Sequence, residues 1–330
     1  MKCIKVRLEE AESVRIMLLK NSILDNKFKI ENDKDFVYFP VKKKFAGYKL
    51  FEKNLEEKKI KFGIKEILKK ELTKKELSNL KRSMDIIGGI AVIEIDKSLL
   101  HKKKIIAESI LKFNKNVKTV FRKLSPHEGK FRVRGYEFLA GINKTETIHR
   151  ESGLLFKLDI SKVYFSPRLN NDRLNISKMV KSGEDVLVMF SGIGAYCFVI
   201  SKYSKARYIY GVEINPVAHK YAEESLKLNK LSNIKFLFGD VKNICPRLKI
   251  KFDRILMPLP KNANEYLDIA ARLLKKGGII HFYSFAEKEK FDSAIEEIKN
   301  KLNVKILDIV KCGQVSPNNY RVRVDFKIKK

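Results

Sequence analysis

Residues 185–216, DVLVMFSGIGAYCFVISKYSKARYIYGVEINP, limit the fold more than any other part of the chain. The apolar run VLVMF ends in Ser191-Gly192-Ile193-Gly194, a helix-like segment follows over residues 195–202, and a second apolar run, 208–212, closes on Glu213. Strand, glycine turn, helix, strand, acid is the order of a βαβ unit that binds a nucleotide. Gly192 and Gly194 are expected to let the backbone approach a ligand that a Cβ would strike. An acid ending the second strand accepts both hydroxyls of a ribose, and Glu213 lies 19 positions past Gly194, against an expected spacing of about 20. On these residues alone, a plain tight turn with an exposed glutamate stays open.

A dinucleotide fold wants a third glycine where helix and sheet pack closely, and this chain has Cys197 there. A nucleoside without pyrophosphate, such as S-adenosylmethionine, needs the turn and the acid but not that glycine. Downstream, Asn215 and Pro216 read as cap and first turn of a helix. Strand IKFLFGD ends on Asp240, strand FDRILMPLP on Pro258-Leu259-Pro260, and GGIIHFYSF makes a fifth strand after a helix over residues 263–274. After a helix over 287–301, VKILDIVKCGQV and YRVRVDFKI are joined only by Ser316-Pro317-Asn318-Asn319. So short a link permits no crossover, so these two strands are antiparallel. A parallel sheet ending in an antiparallel hairpin is the arrangement of the Rossmann-like class I methyltransferase domain and disfavours a nicotinamide enzyme.

With 330 residues the chain has length for two or three domains. Seventy Lys+Arg against 39 Asp+Glu leave a net charge of +31, beyond what solubility needs, and point to a polyanionic partner. Part of that excess also fits a plain lysine-rich composition. Cys3, Cys197, Cys245 and Cys312 form no CxxC pair, and the five histidines show no ligand spacing, so neither a disulfide framework nor a metal is indicated. No run is apolar enough to cross a membrane and the first residues are charged, which predicts a cytoplasmic protein.

Residues 1–50 read as a small α/β module: strand IKVRL, a helix over 9–21 and strand FVYFPV, before the Lys42-Lys43-Lys44 run. The Lys/Glu-rich stretch 51–80 reads as a solvated helix face and a domain edge. A second unit begins at Ser83 with DIIGGIAVIEI as a glycine-interrupted strand, a helix over 102–113 and strand VKTVFRKL. GKFRVRGYEFLAG alternates basic with apolar residues and predicts a strand against RNA. ETIHRESGLLFKLDI predicts a hairpin turning at Glu151-Ser152-Gly153, and a loop at Ser166-Pro167-Arg168 enters a helix near Asn171 or Asp172.

Ligands of open α/β sheets sit outside the carboxyl ends of the strands. That rule gathers Phe190, Ser191, Gly192, Gly194, Glu213, Ile214, Asp240, Val241 and Pro258 as cofactor-binding candidates. Asp240 either accepts from an adenine amino group or only caps the helix after it. The stiff Pro258-Leu259-Pro260-Lys261 segment either holds an acceptor base or is a simple turn.

FRVRGYEFLAG, the ETIHRESG hairpin, KVYFSPRL, MFSGIG, VEINP and LPK, in this order, resemble the archaeal Trm5 family of tRNA (guanine-37, N1) methyltransferases along the whole chain. The resemblance implies S-adenosylmethionine as donor, tRNA as partner, and transfer to N1 of the purine beside the anticodon; a monomer is the expected state, though the sequence does not fix it. It implies a tRNA-elbow module over 1–65, an α+β RNA-binding domain over 66–155, and a Rossmann-like methyltransferase domain over 156–330. By the same resemblance Arg132 stabilises guanine O6, Asp172 (usually Glu in the family) is the general base, and Tyr164 lies near cofactor and base. Arg134, Ser166, Pro167, Arg168, Pro260 and Lys261 are the expected substrate-binding residues.

Guanine N1 carries a proton at neutral pH, so transfer needs a base within reach and a cation near O6. The target base must also leave its stack. The alternative reading makes Arg132 and Arg134 phosphate ligands and Asp172 a helix-capping residue. Two positions depart from the family pattern: Val188 stands where Asp is common, and Pro258 where Asn is common. Those departures keep two further readings in view, modification of a wyosine precursor at the same position and a tRNA-binding protein with decayed catalysis.

Overall fold

A computed structural model describes residues 1–57, 66, 68–81, 84–126, 129–288, 290–316 and 318–329. Part of the Lys/Glu-rich stretch, the expected boundary at 65/66, Ser83, His127 and Pro317 of the hairpin link lie outside these described residues. The chain divides into two compact units, Met1–Ile67 and Leu68–Lys330.

In the first unit, β1 (Lys2–Arg7), β2 (Glu31–Asn32), β3 (Phe36–Pro40) and β4 (Leu50–Glu52) form an antiparallel sheet in the order β2-β3-β1-β4. Ile4 and Val6, two apart on β1 and so on one face, meet Val14 and Leu18 of the helix Ala11–Lys20, whose spacing of four puts them on one side. Lys42, Lys43 and Lys44 follow β3 and are exposed.

The second unit opens with β5 (Met84–Ile87), β6 (Ile90–Ile93), β7 (Thr119–Lys123) and β8 (Tyr136–Gly141), in that order in one sheet. DIIGGIAVIEI is therefore not one interrupted strand. Ile87 pairs with Ile90, and Gly88 (φ +56°) with Gly89 makes the two-residue turn of a hairpin. The helix Lys103–Phe113 is the crossover that lets β6 and β7 run parallel. The strand expected over 129–141 is likewise shorter: Gly129 (φ +68°) and Arg132 (φ +51°) are left-handed, Arg132 N–H donates to Gly129 O, and only the part from Tyr136 onward pairs with β7. The expected hairpin forms as β9 (Glu146–Glu151) and β10 (Leu154–Asp159).

The large sheet holds β11 (Asp185–Met189), β12 (Tyr208–Glu213), β13 (Ile234–Phe238), β14 (Phe252–Met257), β15 (Leu274–Glu287), β16 (Val304–Ser316) and β17 (Asn319–Ile328). Its order is β13-β12-β11-β14-β15-β17-β16, with the first five strands parallel and β17 antiparallel to both β15 and β16. The apolar run of β11 follows from burial on both faces. Val186 and Val188 enter one core with Cys197, Phe198 and Phe156, while Leu187 and Met189 enter the opposite core with Val212, Ile255 and Phe282. The first core continues into Ile87, Ile90 and Phe121, so the small sheet shares it. Val188 is a fully buried packing residue there. Among the described residues no helix is long and apolar enough to cross a membrane.

Candidate active site

Three adjoining cavities open at the carboxyl ends of β11, β12 and β14 and toward the small sheet. The rim cavity is lined by Phe190, Gly192, Glu213, Ile214, Asp240, Val241, Pro258 and Pro260, together with Arg132 and Tyr164. An inner cavity lies against Ser191, Ser166, Tyr196 and Tyr283. A wider cleft of about 800 Å³ is lined by Arg132, Arg134, Tyr164, Ser166, Pro167, Arg168, Pro260 and Lys261. All but two of the expected site residues thus face these spaces. Gly194 and Asp172 do not line them.

The glycine turn is built from left-handed backbone: Phe190 (φ +60°), Gly192 (φ +58°) and Gly194 (φ +81°). Its two glycines serve different ends. A Cβ on Gly192 would meet only Tyr164 O at 3.9 Å, leaving open space before the turn. A Cβ on Gly194 would lie 2.5 Å from the Phe236 ring and 2.9 Å from the Phe198 ring. The expectation that both glycines clear room for a ligand is corrected here: Gly194 clears room for core aromatics, the helix–sheet packing role whose usual position holds Cys197. Phe190 sets its ring edge-on to Tyr266 at 4.8 Å.

Glu213 ends β12 and closes the turn from below. Its Oε2 accepts from Gly192 N–H at 2.6 Å and its Oε1 from Asn215 N–H at 2.7 Å. A carboxylate has about four lone-pair sites; with the Ile214 N–H also acting on it, acceptor capacity is left for a hydroxyl donor in the rim cavity. Burial pushes its pKa up, against the pull of those N–H bonds. Asn215 caps the helix Pro216–Asn229 as its sequence predicts, accepting from Val217 and Ala218 N–H. Asp240 caps the next helix through Lys242 N–H at 2.9 Å and also lines the rim cavity.

Asp172 sits behind the wall, on the helix Asn170–Met179, with 4% exposure. It does not cap that helix. Its Oδ2 accepts from Tyr196 Oη at 2.5 Å and Tyr283 Oη at 2.6 Å, and its Oδ1 from Arg323 Nη1 and, at 3.3 Å, Cys312 Sγ. Asp172 lines none of the three cavities, but its partners Tyr196 and Tyr283 line the inner one and Cys312 the wider cleft. Burial drives both phenol pKa values well above the ordinary one. Arg323 is held in turn by Asp325. Arg168, exposed along its side chain, is tied to Asp85 at 2.7 Å.

Sequence reasoning missed Tyr196, Tyr283, Arg321 and Arg323. The available signal was YRVRVDF itself: Val322, Val324 and Phe326 face one core, so Arg321, Arg323 and Asp325 share the other face. A charged face reads as solvated, but here β17 lies inside the sheet and all three residues are buried.

Family models for the TRM5/TYW2 methyltransferase domain, the TYW2 N-terminal domain and the tRNA methyltransferase 5 N-terminal domain match residues 147–309, 64–145 and 3–49. A tRNA (guanine(37)-N(1))-methyltransferase Trm5b of Pyrococcus abyssi is 40% identical, with 98% of each chain covered. The chain belongs to the archaeal Trm5 family. A solved complex of aTrm5 with tRNALeu superposes with a TM-score of 0.72 at 33% identity, and Methanocaldococcus jannaschii Trm5 in complex with adenosine with 0.69 at 31%, both chains covered in full. A tRNA(Phe) (4-demethylwyosine(37)-C(7)) aminocarboxypropyltransferase of M. jannaschii is 32% identical, covering 73% of this chain and 99% of that enzyme.

Proposed function

We propose that this chain methylates N1 of guanine 37 in tRNA with S-adenosylmethionine as donor. The observation that carries the reading is a nucleoside cradle, Gly192-Glu213-Asp240, opening into a basic cleft lined by Tyr164, Arg132 and Arg321. The cradle fits the cofactor: Gly192 leaves open space, Glu213 keeps acceptor sites for a ribose, and Asp240 lies within the same cavity for an adenine amino group. Bound there, S-adenosylmethionine supplies a methyl on a positively charged sulfur, a strong leaving group.

The protein's own work is orientation and proton movement. Tyr164 and Phe165 offer faces to a base drawn from its stack, and Arg132 donates toward O6 as N1 loses its proton. Asp172 is the proton acceptor, reached through the Tyr283 or Tyr196 hydroxyl that joins it to the inner cavity. Arg134, Ser166, Pro167, Arg168, Pro260 and Lys261 receive the surrounding anticodon loop. In this reading, 1–65 meets the tRNA elbow while 66–155 and 156–330 hold the anticodon arm, one copy of the chain per tRNA. Alignment with the aminocarboxypropyltransferase over only part of the chain favours guanine methylation over wyosine chemistry.

Nucleoside mass spectrometry of unmodified tRNA, treated with the protein and S-adenosylmethionine, is the test. It is expected to show 1-methylguanosine at position 37. Salt-sensitive tRNA binding with no modified nucleoside would leave a binding protein instead.

A further inference from the structure

Among the described residues of the second unit four arginines are buried, and three have carboxylate partners: Arg173 with Glu151, Arg254 with Glu184, and Arg323 with Asp172 and Asp325. Arg321 has none among the described residues. It is 9% exposed, its Nη2 donates to Tyr164 Oη at 2.7 Å, and its Nε finds no acceptor among the described residues. The guanidinium lies against the Tyr164 and Phe285 rings, 5.7 and 5.8 Å from their centroids. Strand pairing fixes this place, since Arg321 stands between Phe285 on β15 and Gly313 on β16. Gly313 adds no side chain over it.

A buried cation without a counter-charge is costly, and packing alone does not require one. Arg321 is also the place where the three cavities meet: with Tyr164 it lines all of them. A second cation, Arg132, shares two of those cavities. Burial first, and the like charge of Arg321 as well, work against the Arg132 charge, with Tyr164 opposing them. Two guanidiniums gathered around one phenol, one of them lacking any carboxylate, describe a seat for negative charge brought by a ligand.

We infer that Arg321 is a ligand-contacting residue of this site, taking an oxygen anion at the junction of the three cavities. The anion has two sources with the same chemistry: the carboxylate of the cofactor's amino-acid end, or guanine O6 as N1 is deprotonated. The inference rests on the methyltransferase reading for the identity of those ligands.

Arg321→Met and Arg321→Lys in the full chain test it by three measurements. These are thermal unfolding without ligand, calorimetric titration with S-adenosylhomocysteine and with 5′-methylthioadenosine (which lacks the carboxylate), and single-turnover methyl transfer to unmodified tRNA. Unfolding temperature is expected to hold or rise in Arg321→Met, because an uncompensated charge leaves the interior. If the anion is the carboxylate, S-adenosylhomocysteine affinity falls about tenfold or more while 5′-methylthioadenosine affinity stays. If it is O6, both affinities stay and the single-turnover rate falls about 10²- to 10³-fold, with partial recovery in Arg321→Lys. Either pattern supports the inference. Unchanged binding and rate overturn it, and so does a loss of activity that tracks a lowered unfolding temperature in both variants. A wild-type chain yielding no 1-methylguanosine would defeat the proposed function instead, and the two titrations would still report on Arg321.

Discussion

The two glycines of the turn make opposite predictions when each is replaced by alanine. Both sit in left-handed backbone, which costs an alanine about 1–2 kcal/mol. At Gly192 that is the whole structural cost, because the new methyl meets nothing closer than Tyr164 O at 3.9 Å. At Gly194 the methyl would press on the Phe236 and Phe198 rings at 2.5 and 2.9 Å, adding about 1–3 kcal/mol of overpacking. The variants should therefore differ by that second amount. At about 2–4 °C per kcal/mol for a domain of this size, Gly194→Ala should unfold about 2–12 °C below Gly192→Ala. Transfer should show the reverse order. Gly192→Ala puts a methyl into the space kept for the ligand and should lower the single-turnover rate about 10²-fold, whereas folded Gly194→Ala should bind S-adenosylhomocysteine like the wild type. Thermal unfolding and calorimetry on the two proteins decide the matter. Equal unfolding temperatures, or normal transfer by Gly192→Ala, would refute the division of labour drawn from the structure.

Glu213 supplies a pH prediction. Its raised folded-state pKa means that it adds to stability in acid and that this contribution is lost as pH rises through that pKa. Ribose hydroxyls donating to the ionised form pull the other way, so S-adenosylhomocysteine affinity should weaken as pH drops toward the carboxylate range. Glu213→Gln should bind more weakly and lose that dependence; an unaltered pH profile would count against Glu213 as the ribose acid. Asp172→Asn removes one of the two carboxylates on Arg323, which keeps Asp325, and should cost about 1–3 kcal/mol of stability, read by denaturant unfolding. If the proton passes through phenols, Tyr196→Phe combined with Tyr283→Phe should slow single turnover by about 10²-fold or more with tRNA affinity intact, and a normal rate would mean a direct path to Asp172. Replacing Lys42, Lys43 and Lys44 by alanine should flatten the log–log salt dependence of tRNA binding by about 2–3, and an identical slope would remove that run from the interface.

Local chemistry determined a good part of this protein without help from tertiary contacts. The βαβ unit, the Asn215-Pro216 helix start, the turn between β9 and β10, and the antiparallel terminal hairpin each depend on a few adjacent residues whose backbone preferences point one way. Strand ends also placed Glu213, Asp240 and Pro258 around one cavity, since a parallel sheet delivers all its carboxyl ends to the same edge.

Only the folded chain decided what stands behind those residues. Insertion of β17 between β15 and β16 buries Arg321, Arg323 and Asp325, turning a face that reads as solvated into a buried charged layer that reaches the cavities at Arg321. The same insertion ties Asp172 to Arg323 across 151 residues of sequence, a separation that no local spacing encodes. Gly194 differs from Gly192 because of Phe236, a strand away, and Arg132 leaves the expected strand because Gly129 and Arg132 turn left-handed. Periodicity reports which face a side chain takes. Whether that face meets water, a core or a ligand depends on which distant strand and helix arrive to cover it.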